Sequence, residues 1–90
     1  MSANKKKPPN DSINLKYLIG DMGFEILLAI EKGARKKETI KLLSGVPMEC
    51  INGRLPVLID LNLISKNNEE FYITERGIEF KKRVKFKNKI

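Results

Sequence analysis

The chain has no histidine, no tryptophan and a single cysteine, Cys50. A lone thiol cannot close an internal disulfide, so a cysteine-bridged scaffold is excluded and a reducing, cytoplasmic setting is expected. Without histidine, and with one cysteine, there is nothing from which to build a zinc finger, a zinc hydrolase or a Ser–His or Cys–His nucleophile pair. No catalytic residue, metal ligand or cofactor is therefore expected, and an enzyme is the least favoured reading. Long apolar runs are also missing. The longest, Ile26 to Ile30, spans five residues, whereas a membrane-crossing helix needs roughly 20. The N-terminal lysines have no apolar stretch directly behind them, which excludes a secretory signal. Neither a membrane partner nor a small-molecule substrate is implied. A 90-residue chain makes one small domain, with little room for both a scaffold and an enzyme cleft.

Positive charge is plentiful, and its placement matters more than its total. The net charge is +7. Residues 1–10 supply three lysines and residues 81–90 supply six cations, so residues 11–80 retain −2. Within that acidic middle, Arg35, Lys36, Lys37 and Lys41 form a short basic cluster. Basic tails point to a polyanionic partner, with simple solubility as the plainer alternative.

Residues 1–11, MSANKKKPPND, carry lysines and Pro8-Pro9 and have little apolar surface to bury, so they are expected to be a disordered basic arm. Asp11 or Ser12 suits a helix cap, and Ile13, Leu15, Leu18 and Ile19 follow at helical spacing. Gly20 and Gly23 interrupt this pattern, which leaves open one bent helix or two between residues 12 and 32. Phe24, Leu27 and Leu28 share the inner face, and Gly33 supplies a stop. Residues 36–44 read as a short helix with Ile40 and Leu43 inward. Pro47 suits the first position of a third helix running to about Asn62, with Ile51, Leu55 and Leu58 as its core stripe. Pro56 cannot donate to the Asn52 carbonyl, so a kink or loosened turn is expected near residues 52–56. Residues 63–66 and 71–74 read as two strands of a hairpin around Asn67-Asn68-Glu69-Glu70. Thr74 is suited to cap a last helix containing Ile78, Phe80 and Val84. The expected order is helix, helix, helix, hairpin, helix.

At this point the sequence resembles the winged helix-turn-helix superfamily. It is similar to the DNA-binding domains of MarR-like, ArsR-like and IclR-like regulators and to small basic archaeal winged-helix proteins. The most specific stretch is LLSGVPMECINGRLPVLIDLNLI, residues 42–64. There Gly45-Val46-Pro47 stands at the family's turn, followed by Ile51, Leu55, Leu58 and the ending Asn62-Leu63-Ile64. The second signature is Phe71-Tyr72-Ile73-Thr74-Glu75-Arg76-Gly77, similar to the family's Tyr-x-Leu-Thr-x-x-Gly. The resemblance implies a mainly α fold with a small β-hairpin. It covers roughly residues 21–84, and the winged domain is expected at residues 12–84, between the basic arm and a basic tail at 85–90. It also implies a docking mode, with the third helix in the major groove, the second crossing the backbone, and the wing reaching phosphates or the adjacent minor groove.

Fourteen residues are the candidate nucleic-acid contacts. Arg35, Lys36, Lys37 and Lys41 stand where the resemblance places phosphate. Met48, Asn52 and Arg54 lie on the third helix. Lys66, Asn67 and Asn68 begin the wing, where Glu69 and Glu70 oppose them. Lys81, Lys82, Arg83 and Lys85 line the last helix and tail, where Phe86 could stack on a base. The third helix departs from the family pattern on its outward face, which carries Glu49, Gly53, Pro56 and Asp60. A donor usually stands where Gly53 does. Asn52 alone has a side chain suited to a base edge. Arg54 lies nearer the core; it is expected either to reach a phosphate along its flexible stem or, as the favoured reading, to pair with Asp60 or Glu49.

The expected function is therefore a DNA-binding winged-helix protein of limited sequence selectivity. It would be a transcriptional regulator or a DNA-coating protein, cytoplasmic and nucleoid-associated, with double-stranded DNA as its partner. A homodimer is expected through residues 12–20, the last helix or both, using Ile13, Leu15, Leu18, Phe80 and Val84. The alternatives are a ribonucleoprotein component bound to rRNA or other RNA, and a protein-interaction module using the acidic face.

Overall fold

A computed structural model describes residues 11–88, with side chains from 15 to 84. All of the expected arm except Asp11 lies outside the described residues, as do the side chains of Ile13, Lys85 and Phe86. The elements are α1 (Asp11–Glu31), α2 (Lys37–Ser44), α3 (Met48–Asp60), β1 (Ile64–Asn67), β2 (Glu70–Ile73) and α4 (Glu75–Asn88). This is the helix, helix, helix, hairpin, helix order read from the apolar spacing.

Helix α1 is the hub of the fold and packs against α2, α3, α4 and β2. Its Ile19, Ile26, Leu27 and Ile30 meet Ile40 of α2, Ile51 and Leu58 of α3, and Leu63 and Ile64, all fully buried. Between bent and divided, α1 is a helix broken at one residue. Gly20 holds φ 74° and ψ 176°, a region that a side chain all but forbids. The chain thus changes direction there and resumes as helix at once.

Pro47 does not take the first helical position. Its ψ of 148° makes it the extended cap residue, with Met48 opening α3. Its carbonyl still accepts the first helical bonds, from the Cys50 and Ile51 N–H groups at 3.0 Å. Helix α3 also continues through Pro56 to Asp60, so the expected kink does not end or divide it. Pro56 and Asn52 are both exposed, so the helix bears the missing Pro56 donor on its solvent side.

The hairpin is tighter than expected. Asn67 pairs with Glu70, and Asn68 and Glu69 form a two-residue turn with φ 55° and 67°. Two successive left-handed residues are the signature of a turn whose twist matches the strands. Thr74 caps α4 as expected. Its hydroxyl accepts from the Gly77 N–H at 3.0 Å and donates to the Asn62 carbonyl at 2.7 Å. Arg76 Nε donates to the Leu61 carbonyl at 2.9 Å. The first turn of α4 therefore ties down the carbonyls just beyond α3. Gly77 is required there, because a Cβ would overlap the Leu63 carbonyl oxygen.

Leu15, Phe80 and Val84 are not an exposed seam. All three are buried in the core of the single chain, and Phe80 meets Phe24 edge to face with centroids 5.9 Å apart. Among the described side chains of α1, the large apolar ones left in solvent are Tyr17, Leu18 and Met22.

Candidate nucleic-acid interface

Helices α2 and α3 are joined by a short turn that fixes their relation. Gly45 closes α2 by donating its N–H to the Lys41 carbonyl at 2.8 Å. Ser44 Oγ accepts from the Val46 N–H at 3.1 Å, and Val46 is buried. The outer side of α3 carries Glu49, Asn52, Gly53, Pro56 and Asp60, all exposed, so the face expected to point outward does so. Between α3, the start of α2 and the wing lies an open groove of about 260 Å³, lined by Lys37, Asn52, Pro56, Asp60, Lys66 and Phe71 among others. A second concavity of about 420 Å³ sits at the start of α3, against Lys41, Gly45, Val46, Pro47, Met48 and Glu49.

The basic residues divide by what holds them. Lys37 and Lys41 are exposed one helical turn apart on α2, and among the described residues no carboxylate lies within ion-pair distance of either. Lys36 faces Glu70 at 3.9 Å, and Lys66 faces Glu69 at 3.6 Å. Both pairs are solvent-exposed, and such pairs contribute little, so a phosphate can displace the carboxylate. Asn67 and Asn68 are exposed at the wing tip.

Arg35 is placed differently. Its Nη1 donates to the carbonyls of Phe71 at 2.8 Å, Ala34 at 2.9 Å and Ile30 at 3.3 Å. Its guanidinium lies 4.4 Å from the Tyr72 ring centroid. The cation is engaged with the fold itself. Lys81 is also engaged, donating to Glu31 of α1 at 2.9 Å with little exposure. Lys82 and Arg83 are exposed on α4, which packs on α1 and β2. Arg54 makes no ion pair with Glu49 or Asp60 among the described residues. It turns toward α1, where its Nη2 approaches Gly20 and its Nε is buried without a hydrogen-bond partner.

One group that local sequence patterns do not flag braces the wing. Tyr72 donates its hydroxyl to Glu70 Oε1 at 2.9 Å. That hydrogen bond to a carboxylate holds the phenol above its ordinary pKa, with partial desolvation and the negative charge of Glu70 adding to it and Arg35 opposing. Glu70 thus holds Tyr72 with one oxygen and Lys36 with the other.

Three helices, a tight turn between the second and third, and a two-stranded wing capped by a fourth helix form the framework. A family described as winged helix-turn-helix matches residues 20–90. The chain belongs to that family. Winged helix-turn-helix domains are DNA-binding folds that typically place the third helix in the major groove and the wing beside it. No curated protein matches this one. Among solved structures, one of a protein with unknown function from Listeria innocua Clip11262 is similar, with a TM-score of 0.68 and 19% identity. The likeness covers 82% of this chain and 55% of that one, and it bears on the fold alone. The winged helix-turn-helix chain thus spans little more than half the length of that structure.

Proposed function

We propose that this winged helix-turn-helix protein binds double-stranded DNA with little base selectivity, as a small transcriptional regulator or a DNA-coating protein of the cytoplasm and nucleoid. The observation that carries this is the pair Lys37 and Lys41. Both are exposed beside α3 without a carboxylate partner among the described residues, and Lys37 lines the same groove as Asn52 and Lys66. Lysines so placed hold phosphates, and phosphate binding positions a protein without reading sequence. Lys36 and Lys66 join them once Glu70 and Glu69 are displaced. The exposed Glu49 and Asp60 set a limit on affinity. Arg35 and Lys81 are fold contacts in this reading.

The protein acts as a homodimer in the same proposal, joined through Tyr17, Leu18 and Met22, the exposed apolar side chains of α1. A second reading, docking on rRNA or another structured RNA, is supported by the charge split between an acidic middle and basic ends.

The test is a salt titration of binding to one duplex and one structured RNA, comparing the full chain with Lys37→Glu/Lys41→Glu. Each phosphate that is no longer neutralised lowers the slope of log affinity against log salt by about 0.9 on B-DNA. The variant is expected to show a slope on duplex DNA that is shallower by about two such steps, and to bind far more weakly. Unchanged slope and affinity on DNA overturn the docking through α2. Tighter binding to RNA than to duplex at every salt concentration favours the second reading.

A further inference from the structure

The exposed face of α3 is selective by what it omits. In the major groove guanine presents two acceptors, N7 and O6, and is read by an arginine or lysine. Arg54 is the only cation in α3, and it is turned inward against Gly20 with its Nε buried. Glu49 and Asp60, both exposed, carry acceptors only, so they can meet cytosine N4 but not guanine N7 or O6.

An A·T pair finds partners on the same face. Adenine offers an acceptor at N7 and a donor at N6, the pattern that an amide side chain meets with two hydrogen bonds. Asn52 is the only exposed amide on α3. Thymine offers a methyl group, which takes apolar contact. Pro56, one turn beyond Asn52, is exposed, and Met48, one turn before it, is half-buried. Lys37 and Lys66 line the groove that Asn52 and Pro56 share, so a phosphate held there brings a base edge against the amide.

Resting on the DNA-binding reading above, we infer that α3 prefers A·T-rich duplex DNA, with Asn52 reading adenine and Met48 and Pro56 touching thymine methyl groups. The preference is shallow because one amide carries it.

The test uses two duplexes of equal length, one of alternating A·T and one of alternating G·C pairs, competed against each other at fixed salt with the full chain. The A·T duplex is expected to win by about fivefold or more, the worth of one good bidentate base contact. Asn52→Ala, at an exposed position, is expected to remove the preference while keeping binding to both. Asn52→Arg is expected to shift it toward G·C. Equal binding of both duplexes by the unaltered chain overturns the inference but leaves the DNA-binding reading standing. An A·T preference that survives in Asn52→Ala, as shape readout would give, overturns the assignment to Asn52. Binding to neither duplex overturns the DNA-binding reading itself.

Discussion

Arg35 satisfies both backbone groups of Phe71. Its carbonyl accepts from the Phe71 N–H at 3.0 Å, and its Nη1 donates to the Phe71 carbonyl at 2.8 Å. One residue of the α1–α2 loop therefore does for β2 what a further strand would do, covering groups that would otherwise stand open at the sheet edge. The other face of this clasp is the stack on Tyr72, whose hydroxyl is held by Glu70.

The clasp depends on the planar guanidinium fork, not on charge alone. Arg35→Lys is expected to lower stability by about 1–2 kcal/mol, read from urea unfolding, while the salt slope of DNA binding stays the same. A variant of native stability would show that the guanidinium fork does not hold β2.

Gly77→Ala places a methyl group onto the Leu63 carbonyl oxygen and against Ile73. Both belong to structure that cannot move without displacing β1 from α4. The expected loss is about 2–3 kcal/mol, seen as a lowered melting temperature. A variant as stable as the parent would mean that α4 shifts freely on the hairpin.

Glu69 sits in the left-handed region at φ 67° and holds Lys66 at 3.6 Å. Glu69→Gly is expected to relieve strain of about 1 kcal/mol and to release Lys66 for phosphate. Melting temperature and DNA affinity should rise together, with the salt slope steepening by about 0.9. Higher stability with no gain in affinity would place the wing away from the nucleic acid.

Tyr72 is one of two tyrosines, so Tyr17→Phe isolates its phenol for an ultraviolet titration. The midpoint is expected above the ordinary value of 10.0, and Glu70→Gln should bring it down. The raised folded value fixes the sign for stability. The wing brace is fully present below the ordinary tyrosine pKa and is lost as pH rises through the folded one. A midpoint at or below the ordinary value in the Tyr17→Phe chain would show that the bond to Glu70 does not form.

Leu18→Glu introduces a charge into the exposed apolar surface of α1, where Leu18 is 64% exposed. The single chain should keep its melting behaviour, while sedimentation should shift from dimer to monomer. A parent that is already monomeric at high micromolar concentration would remove the proposed pairing.

The element order was legible because the apolar spacing changes from helical to alternating at the correct places. The Thr74 and Gly77 signature was legible because a cap and a close approach each demand one residue type. Long-range assignments were not. Arg35 and Lys81 resemble their neighbours in any basic run, yet their partners lie 36 and 50 residues away, and no local pattern encodes that. Phe80 and Val84 showed an apolar stripe but not what would cover it, and α1 of the same chain does. Pro47 fell one position outside the helix because its fixed φ suits both places and only ψ distinguishes them. At Pro56 the pattern could show a missing donor but not that the helix would continue past it on its solvent side.

Gly20 carries a geometric consequence for any two-fold assembly through α1. The segment bearing Tyr17 and Leu18 packs on the core through Leu15 and Ile19, and its direction is set at that single residue. In a symmetric pair the same direction would set how far apart the two α3 helices stand. Paired readers engage one face of a duplex when they are about 34 Å apart, one helical turn. The half-site spacing that such a dimer could bridge would then be written at Gly20, a residue with no side chain to offer any base.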